Sequence, residues 1–281
     1  MTHLPETLLR VDQLTTGYQD PVVFDANFHI GSGKLTALIG PNGCGKSTLL
    51  KCMARILKPH QGQVILNNAN LHDQPTRHVA RQLALLPQGP IAPEGLTVRE
   101  LVAQGRYPHQ SLFQQWSRED EAAVQEALSM TDTVELADRP VSALSGGQRQ
   151  RCWIAMVLAQ QTPVILLDEP TTFLDMRVQV DLLNLLTSLA HDHGRTLVVV
   201  LHELNMAAAF ADHLIMMKDG RLQAQGHPDE IFTRDNLKSV FNLDAQILRD
   251  PYSGRLMCVP TQVPHHTTPA ADIALAEVVQ P

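Results

Sequence analysis

Gly40-Pro41-Asn42-Gly43-Cys44-Gly45-Lys46-Ser47, followed by Thr48, fits the pattern G-x-x-x-x-G-K-[ST]. Glycines at that spacing let the backbone wrap closely, so that successive N–H groups face phosphate oxygens. A helix opening near Lys46 adds the partial positive charge of its N-terminus. In this chemistry Lys46 meets the β- and γ-phosphates and the Ser47 hydroxyl ligates Mg²⁺. The loop reads as a nucleotide site. A second set supports it: the apolar run Val164-Ile-Leu-Leu ends in Asp168 and Glu169. Asp168 suits Mg²⁺, and a second carboxylate beside it suits orienting or deprotonating an attacking water.

These side chains need rigid carriers. Leu35 to Gly40, Val164 to Leu167 and Leu197 to Leu201 are short apolar runs that read as buried strands, and ligands collect at the carboxyl ends of such strands. Leu182, Leu185, Leu186 and Leu189 fall at helical spacing and predict an amphipathic helix between the last two strands. Asp219-Gly220 predicts the turn of a hairpin within Leu214 to Gly226. From about Gly89 to Ala159 strand signals vanish, while Glu119 to Met130 places Ala123, Val124, Ala127 and Leu128 on one helical face. The expected fold is α/β: a mainly parallel sheet with an antiparallel β edge and an inserted helical subdomain. One domain over 1–260 is expected, with its core about 1–88 and 160–260 and the insert about 89–159. From Thr261 the composition turns to Pro, Thr, His and Ala, which reads as a flexible tail over 261–281.

Composition narrows the function. The 281 residues are 44% hydrophobic and 18% charged, enough for a sizeable core and far from disordered. Twenty-two lysines and arginines against 29 acids leave a net charge of −7, which argues against a nucleic-acid partner. No apolar run reaches a membrane span, and MTHLPETLLRVDQ lacks the pattern of a signal peptide. The four cysteines have no metal spacing, which fits a reducing compartment. His265-His266, without acids or cysteines beside it, makes a poor metal site.

Leu144-Ser145-Gly146-Gly147-Gln148 ends 20 residues before Asp168. With the phosphate loop upstream, this set resembles the nucleotide-binding subunit of ABC transporters over roughly Leu8 to Pro260. A helix N-cap at Ser145 is compatible with that, because a capped N-terminus exposing N–H groups is itself a phosphate site. The resemblance implies further roles. Tyr18 would stack on adenine, and Gln88 would reach metal and water and sense the membrane partner. Asp175 would lie in a loop crossing between two copies, and His202, 33 residues after Glu169, would contact the γ-phosphate. It implies a head-to-tail dimer with ATP and Mg²⁺ between Lys46, Ser47, Gln88, Asp168, Glu169 and His202 of one copy and Ser145 and Gly147 of the other. Glu203 departs from the aspartate more common in relatives. Cys44, within the phosphate loop, is expected to carry an exposed thiol sensitive to alkylation.

Gly105-Arg106-Tyr107-Pro108-His109, Trp116 to Glu121 and Gln150 to Met156 are similar to ATPases of iron–siderophore importers, a family that includes haem and vitamin B12 systems. That similarity implies two separate transmembrane permease subunits, whose coupling helices would dock near Gln88 to His109. It also implies an extracytoplasmic substrate-binding protein acting indirectly, and a peripheral position on the cytoplasmic face of the cell membrane. A soluble ABC protein acting on ribosomes or DNA is the rival from another class. A single phosphate loop, a single LSGGQ and net acidity speak against it.

Overall fold

In the computed structural model, which describes residues 7–110 and 116–261, every residue of three short strands at the centre is buried. Such strands are rich in Val, Leu and Ile because both faces of a parallel sheet are covered. In chain order the elements begin β1 (Thr7–Gly17), β2 (Pro21–Gly31), β3 (Leu35–Ile39), α1 (Lys46–Met53), β4 (Pro59–Leu66), β5 (Ala69–Asn70), α2 (Thr76–Ala80) and β6 (Leu83–Leu86). Then come α3 (Val98–Ala103), α4 (Arg118–Met130), α5 (Gly146–Ala159), β7 (Val164–Leu167), α6 (Met176–His191), β8 (Thr196–Val200) and α7 (Leu204–Phe210). The last are β9 (His213–Lys218), β10 (Arg221–Gly226), α8 (Pro228–Ile231), α9 (Arg234–Phe241), β11 (Ala245–Arg249) and β12 (Leu256–Pro260).

One six-stranded sheet has the order β10-β9-β3-β8-β7-β6, parallel except for β10. The β9–β10 hairpin turns at Asp219 and Gly220, both at positive φ (49° and 74°), as a twisted two-residue turn requires. A second sheet, β2-β1-β4-β5, is antiparallel, and β11 and β12 form a separate hairpin. The expected α/β class is thus observed, with an antiparallel component larger than an edge. The third central strand begins one residue earlier than Leu197.

Side-chain alternation sorts the core into two layers. Leu35, Ala37, Ile39, Ile165, Leu167, Leu197 and Val199 face the layer built by α3 to α7. Leu38, Val164, Leu166, Val198 and Val200 face the opposite layer, which contains α1 and the inner face of the antiparallel sheet. At about 25 cal/mol per Å² of apolar surface, this two-sided burial is what fixes the strands' carboxyl ends in place.

Among the described residues between 89 and 159 no strand forms, only the isolated bridge Thr97–Pro140. The expected face of α4 is confirmed, with Ala123, Val124, Ala127 and Leu128 all buried. Capping boxes start α3 (Thr97/Glu100), α4 (Ser117/Asp120) and α5 (Ser145/Gln148), each satisfying two otherwise orphaned N–H groups. In α6 the buried face is Leu182, Leu183, Leu186 and Leu189, with Leu185 at its half-buried margin. The expected tail beyond Thr261, with His265-His266, lies outside the described residues. No described helix is long and apolar enough to cross a membrane.

Candidate nucleotide site

The loop between β3 and α1 surrounds its own lysine. Lys46 is buried, and its Nζ donates to the carbonyls of Gly40 and Pro41 at 2.8 and 3.1 Å. Gly45, the residue before α1, holds φ +103°, which a side chain would strain. A cavity of about 370 Å³ opens here, lined by Val22, Asn42, Gly43, Gly45, Lys46, Ser47, Thr48, Gln88, Glu169 and His202. Three strands deliver the acidic and polar groups to it: β6 leads to Gln88, β7 to Glu169, with the buried Asp168 just before it, and β8 to His202.

Ser47 Oγ donates to Asp168 Oδ1 at 2.8 Å, joining the phosphate loop to the end of β7. Burial pushes the Asp168 carboxyl above the usual aspartate range, and the Ser47 hydrogen bond only partly offsets it. Glu169 is gripped from two sides. Gln88 Nε2 donates to its Oε2 at 2.5 Å, and His202 Nε2 lies 2.6 Å from its Oε1. Thr172 Oγ1 donates to the same Oε2 at 3.2 Å. Glu169 itself sits at φ +53°, one of the less favoured backbone regions that tend to concentrate at functional sites.

The oxygens of Ser47, Asp168 and Gln88 are a hard donor set, and among the described residues no three His, Cys, Asp or Glu form a cage of their own. Few protein ligands completed by phosphate and water oxygens is the habit of Mg²⁺, so the residues present fit that ion.

Ser145, Gly147 and Gln148 lie elsewhere, in a second cleft of about 600 Å³ whose lining shares no residue with the Lys46 cavity. Ser145 caps α5, its hydroxyl accepting from the N–H of Gln148 at 3.3 Å. Gly147 is required by packing, since a Cβ there would come 2.7 Å from Val178 Cγ1. Within one copy, therefore, the Lys46 cavity and the Ser145 cleft have separate linings. Asp175 caps α6 by accepting from the N–H of Val178 at 3.0 Å.

Tyr18 does not line the cavity; it is 62% exposed, and Lys51 Nζ donates to its hydroxyl at 3.0 Å. Cys44 corrects an expectation. Its thiol is buried (5% exposed) in the core layer containing α1, and burial raises its pKa. Its Sγ lies 4.0 Å from Lys46 Nζ within the same loop, and the Gly220 N–H, at the β9–β10 turn, donates to the Cys44 carbonyl at 3.1 Å. Two contributors escaped the sequence reading. Val22, a strand valine like any other, carries no signal; Thr172 could have been suspected from its place three residues after Glu169.

A family model described as ABC transporter matches residues 23–172, more than half of the chain. The chain belongs to the ABC transporter family. This ABC subunit is 53% identical over 255 residues to the achromobactin transport ATP-binding protein CbrD of Dickeya dadantii, covering 90% of this chain and 95% of that one. It is 49% identical over 253 residues to the ferric enterobactin transport ATP-binding protein FepC of Escherichia coli, covering 90% and 93%. Among solved structures it resembles a metal-chelate type ABC transporter in an inward-facing conformation, with TM-score 0.80, 32% identity and coverage of 90% and 97%. A dimeric ATP-binding cassette bound to ADP and Pi matches at TM-score 0.67 and 29% identity, covering 78% and 98%.

Proposed function

We propose that this chain is the ATP-hydrolysing subunit of an importer for ferric siderophores, working as a head-to-tail pair on the cytoplasmic face of the membrane beneath two permease subunits. The observation that carries the ATPase reading is Glu169, held between Gln88 and His202 in the lining of the Lys46 cavity. The siderophore reading is supported by relatives that share about half of their residues with this chain over nearly their whole length. Extracytoplasmic binding protein and cargo are met only through the permease.

Residues 40–48 wrap the phosphates with N–H groups, and Lys46 exchanges its contacts with the Gly40 and Pro41 carbonyls for phosphate oxygens. Ser47, Asp168 and Gln88 would hold Mg²⁺, which when bound neutralises charge on the phosphate oxygens. Glu169 accepts the proton of the attacking water, and His202 orients Glu169 and meets the γ-phosphate. Ser145 and Gly147 of the second copy close the site with the N-terminus of α5, so one nucleotide holds two polypeptides together. Breaking the bond to the γ-phosphate removes the shared ligand and lets the pair open. Tyr18 provides a ring face for adenine, and Asp175 lies where the copies meet. The chain divides into a core of about 1–88 and 160–260 and a helical part of about 89–159 that receives the permease.

Replacing Glu169 by Gln keeps shape and removes the base. ATP turnover should fall by roughly 10²–10⁴-fold, while ATP still binds and drives dimer formation. Turnover near the wild-type rate would remove Glu169 from the role of base.

A further inference from the structure

His202 stands in a three-residue link, since β8 ends at Val200 and α7 begins at Leu204. The strand side of that link is fixed: Leu201 is buried, and its N–H donates to the Leu38 carbonyl of β3 at 3.2 Å. The other side is only as steady as α7, a helix of seven residues whose N-cap, Glu203, makes no side-chain capping bond. A helix that short does not hold itself in water, so contacts from elsewhere must fix it.

Those contacts come from the far end of the described chain. Asn205 Oδ1 accepts from the Cys258 N–H at 2.7 Å, and Asn205 Nδ2 donates to the Cys258 carbonyl at 3.3 Å. One side-chain amide thus meets both backbone groups of a β12 residue, as a neighbouring strand would. Among the described residues β12 pairs only with β11, so this edge has no strand beside it. Toward the other end of α7, the Arg255 guanidinium stands 4.7 Å from the centre of the Phe210 ring. Leu256 and Cys258 lie in the same core layer as Ala207, Ala208 and Phe210. The C-terminal hairpin therefore grips α7 near both ends. It gains as much from the contact, because two strands alone are marginal in water. Asn205 lies three residues after His202, whose Nε2 is 2.6 Å from Glu169 Oε1. Catalytic geometry is unforgiving, and a misplacement of about 1 Å caused from a distance can cost orders of magnitude in rate.

We infer that Asn205, seated on the edge of β12, is a positioning residue for His202, which makes the C-terminal hairpin part of the hydrolytic apparatus; this rests on the role given to His202 above. Asn205→Leu keeps the size of the side chain and removes both hydrogen bonds. In the full chain with ATP and Mg²⁺, kcat should fall by about tenfold, while ATP affinity and the cooperative thermal transition are retained. The His202 imidazole signal in NMR, assigned by its loss in His202→Ala, should move in Asn205→Leu. Asn205→Asp keeps the acceptor of the shorter bond and should regain part of the lost turnover. An unchanged His202 signal, or turnover at the wild-type rate, would overturn the positioning role and leave that of His202 intact. A fall in ATP affinity as large as the fall in kcat would overturn it too, because the amide would then serve the fold at large. If His202→Ala alone hydrolyses ATP at the wild-type rate, the role of His202 fails and the clamp has nothing to position.

Discussion

At the scale of single residues, burial decides reactivity more than position in a motif does. Cys44 sits in a phosphate loop, yet its thiol is turned into the core, as are Cys52, Cys152 and Cys258. Burial raises the pKa of all four, that of Cys152 to about 11, so the reactive thiolate is scarce at neutral pH. Native protein should therefore react with a maleimide far more slowly than a free thiol, and four thiols should appear only on unfolding. Rapid labelling of Cys44 in folded protein, with loss of ATPase activity, would restore the exposed-thiol expectation. The motif residues were legible because their chemistry is written in contiguous stretches: Gly40 to Ser47, Asp168-Glu169, Ser145 to Gln148. The burial of Cys44 was not, because it depends on how the loop folds against the core layer containing α1, which no motif spells out.

Elements show the same contrast. Strands buried on both faces announce themselves as apolar runs, and α4 and α6 by their periodicity. The antiparallel sheet was harder to read because β1 does not alternate steadily: Leu9 and Val11 are buried, then Gln13 at φ +46° shifts the register, and Leu14 and Thr16 take the inner face. The segment 105–109 gains its meaning only in three dimensions. Arg106 is buried and donates to Asp120 Oδ1, the Ala159 carbonyl and Gln161 Oε1, each at 2.8 Å. His109 Nε2 lies 2.9 Å from the Gln160 carbonyl, and the Gln160 side chain donates to the carbonyls of Ala80 and Leu83. One clasp thus ties α4 and the end of α5 to the root of β6, whose far end leads to Gln88. Burial alone would raise the Asp120 pKa, but Arg106 and the Ser117 hydroxyl and N–H outweigh it and hold the carboxyl below its usual range. A depressed acid stabilises the fold above its unfolded pKa, and that contribution is lost as pH falls through the depressed value. Asp120→Asn keeps an oxygen for Ser117 but leaves Arg106 buried without a counter-charge. Urea unfolding at neutral pH should show a loss of about 3–5 kcal/mol, shrinking in acid. A loss below about 1 kcal/mol would mean the pair behaves like a surface ion pair and the clasp is not holding these elements.

For the whole molecule, the important feature is a division. The Lys46 cavity and the Ser145 cleft share no lining residue, so under the proposed function a single copy presents two half-sites. No periodicity or spacing in the sequence could say that the two linings stay separate in one chain; the resemblance implied it. Cargo is different again, because under the proposed function it is met only through the permease. The most direct test of the central claim is uptake of labelled ferric siderophore, haem and cobalamin by cells lacking this gene, with wild type or Glu169→Gln returned. Ferric-siderophore uptake should return with wild type and stay absent with Glu169→Gln. Uptake restored equally by both would contradict hydrolysis at Glu169 as the driving step, and dependence of haem or cobalamin uptake alone would contradict the siderophore assignment.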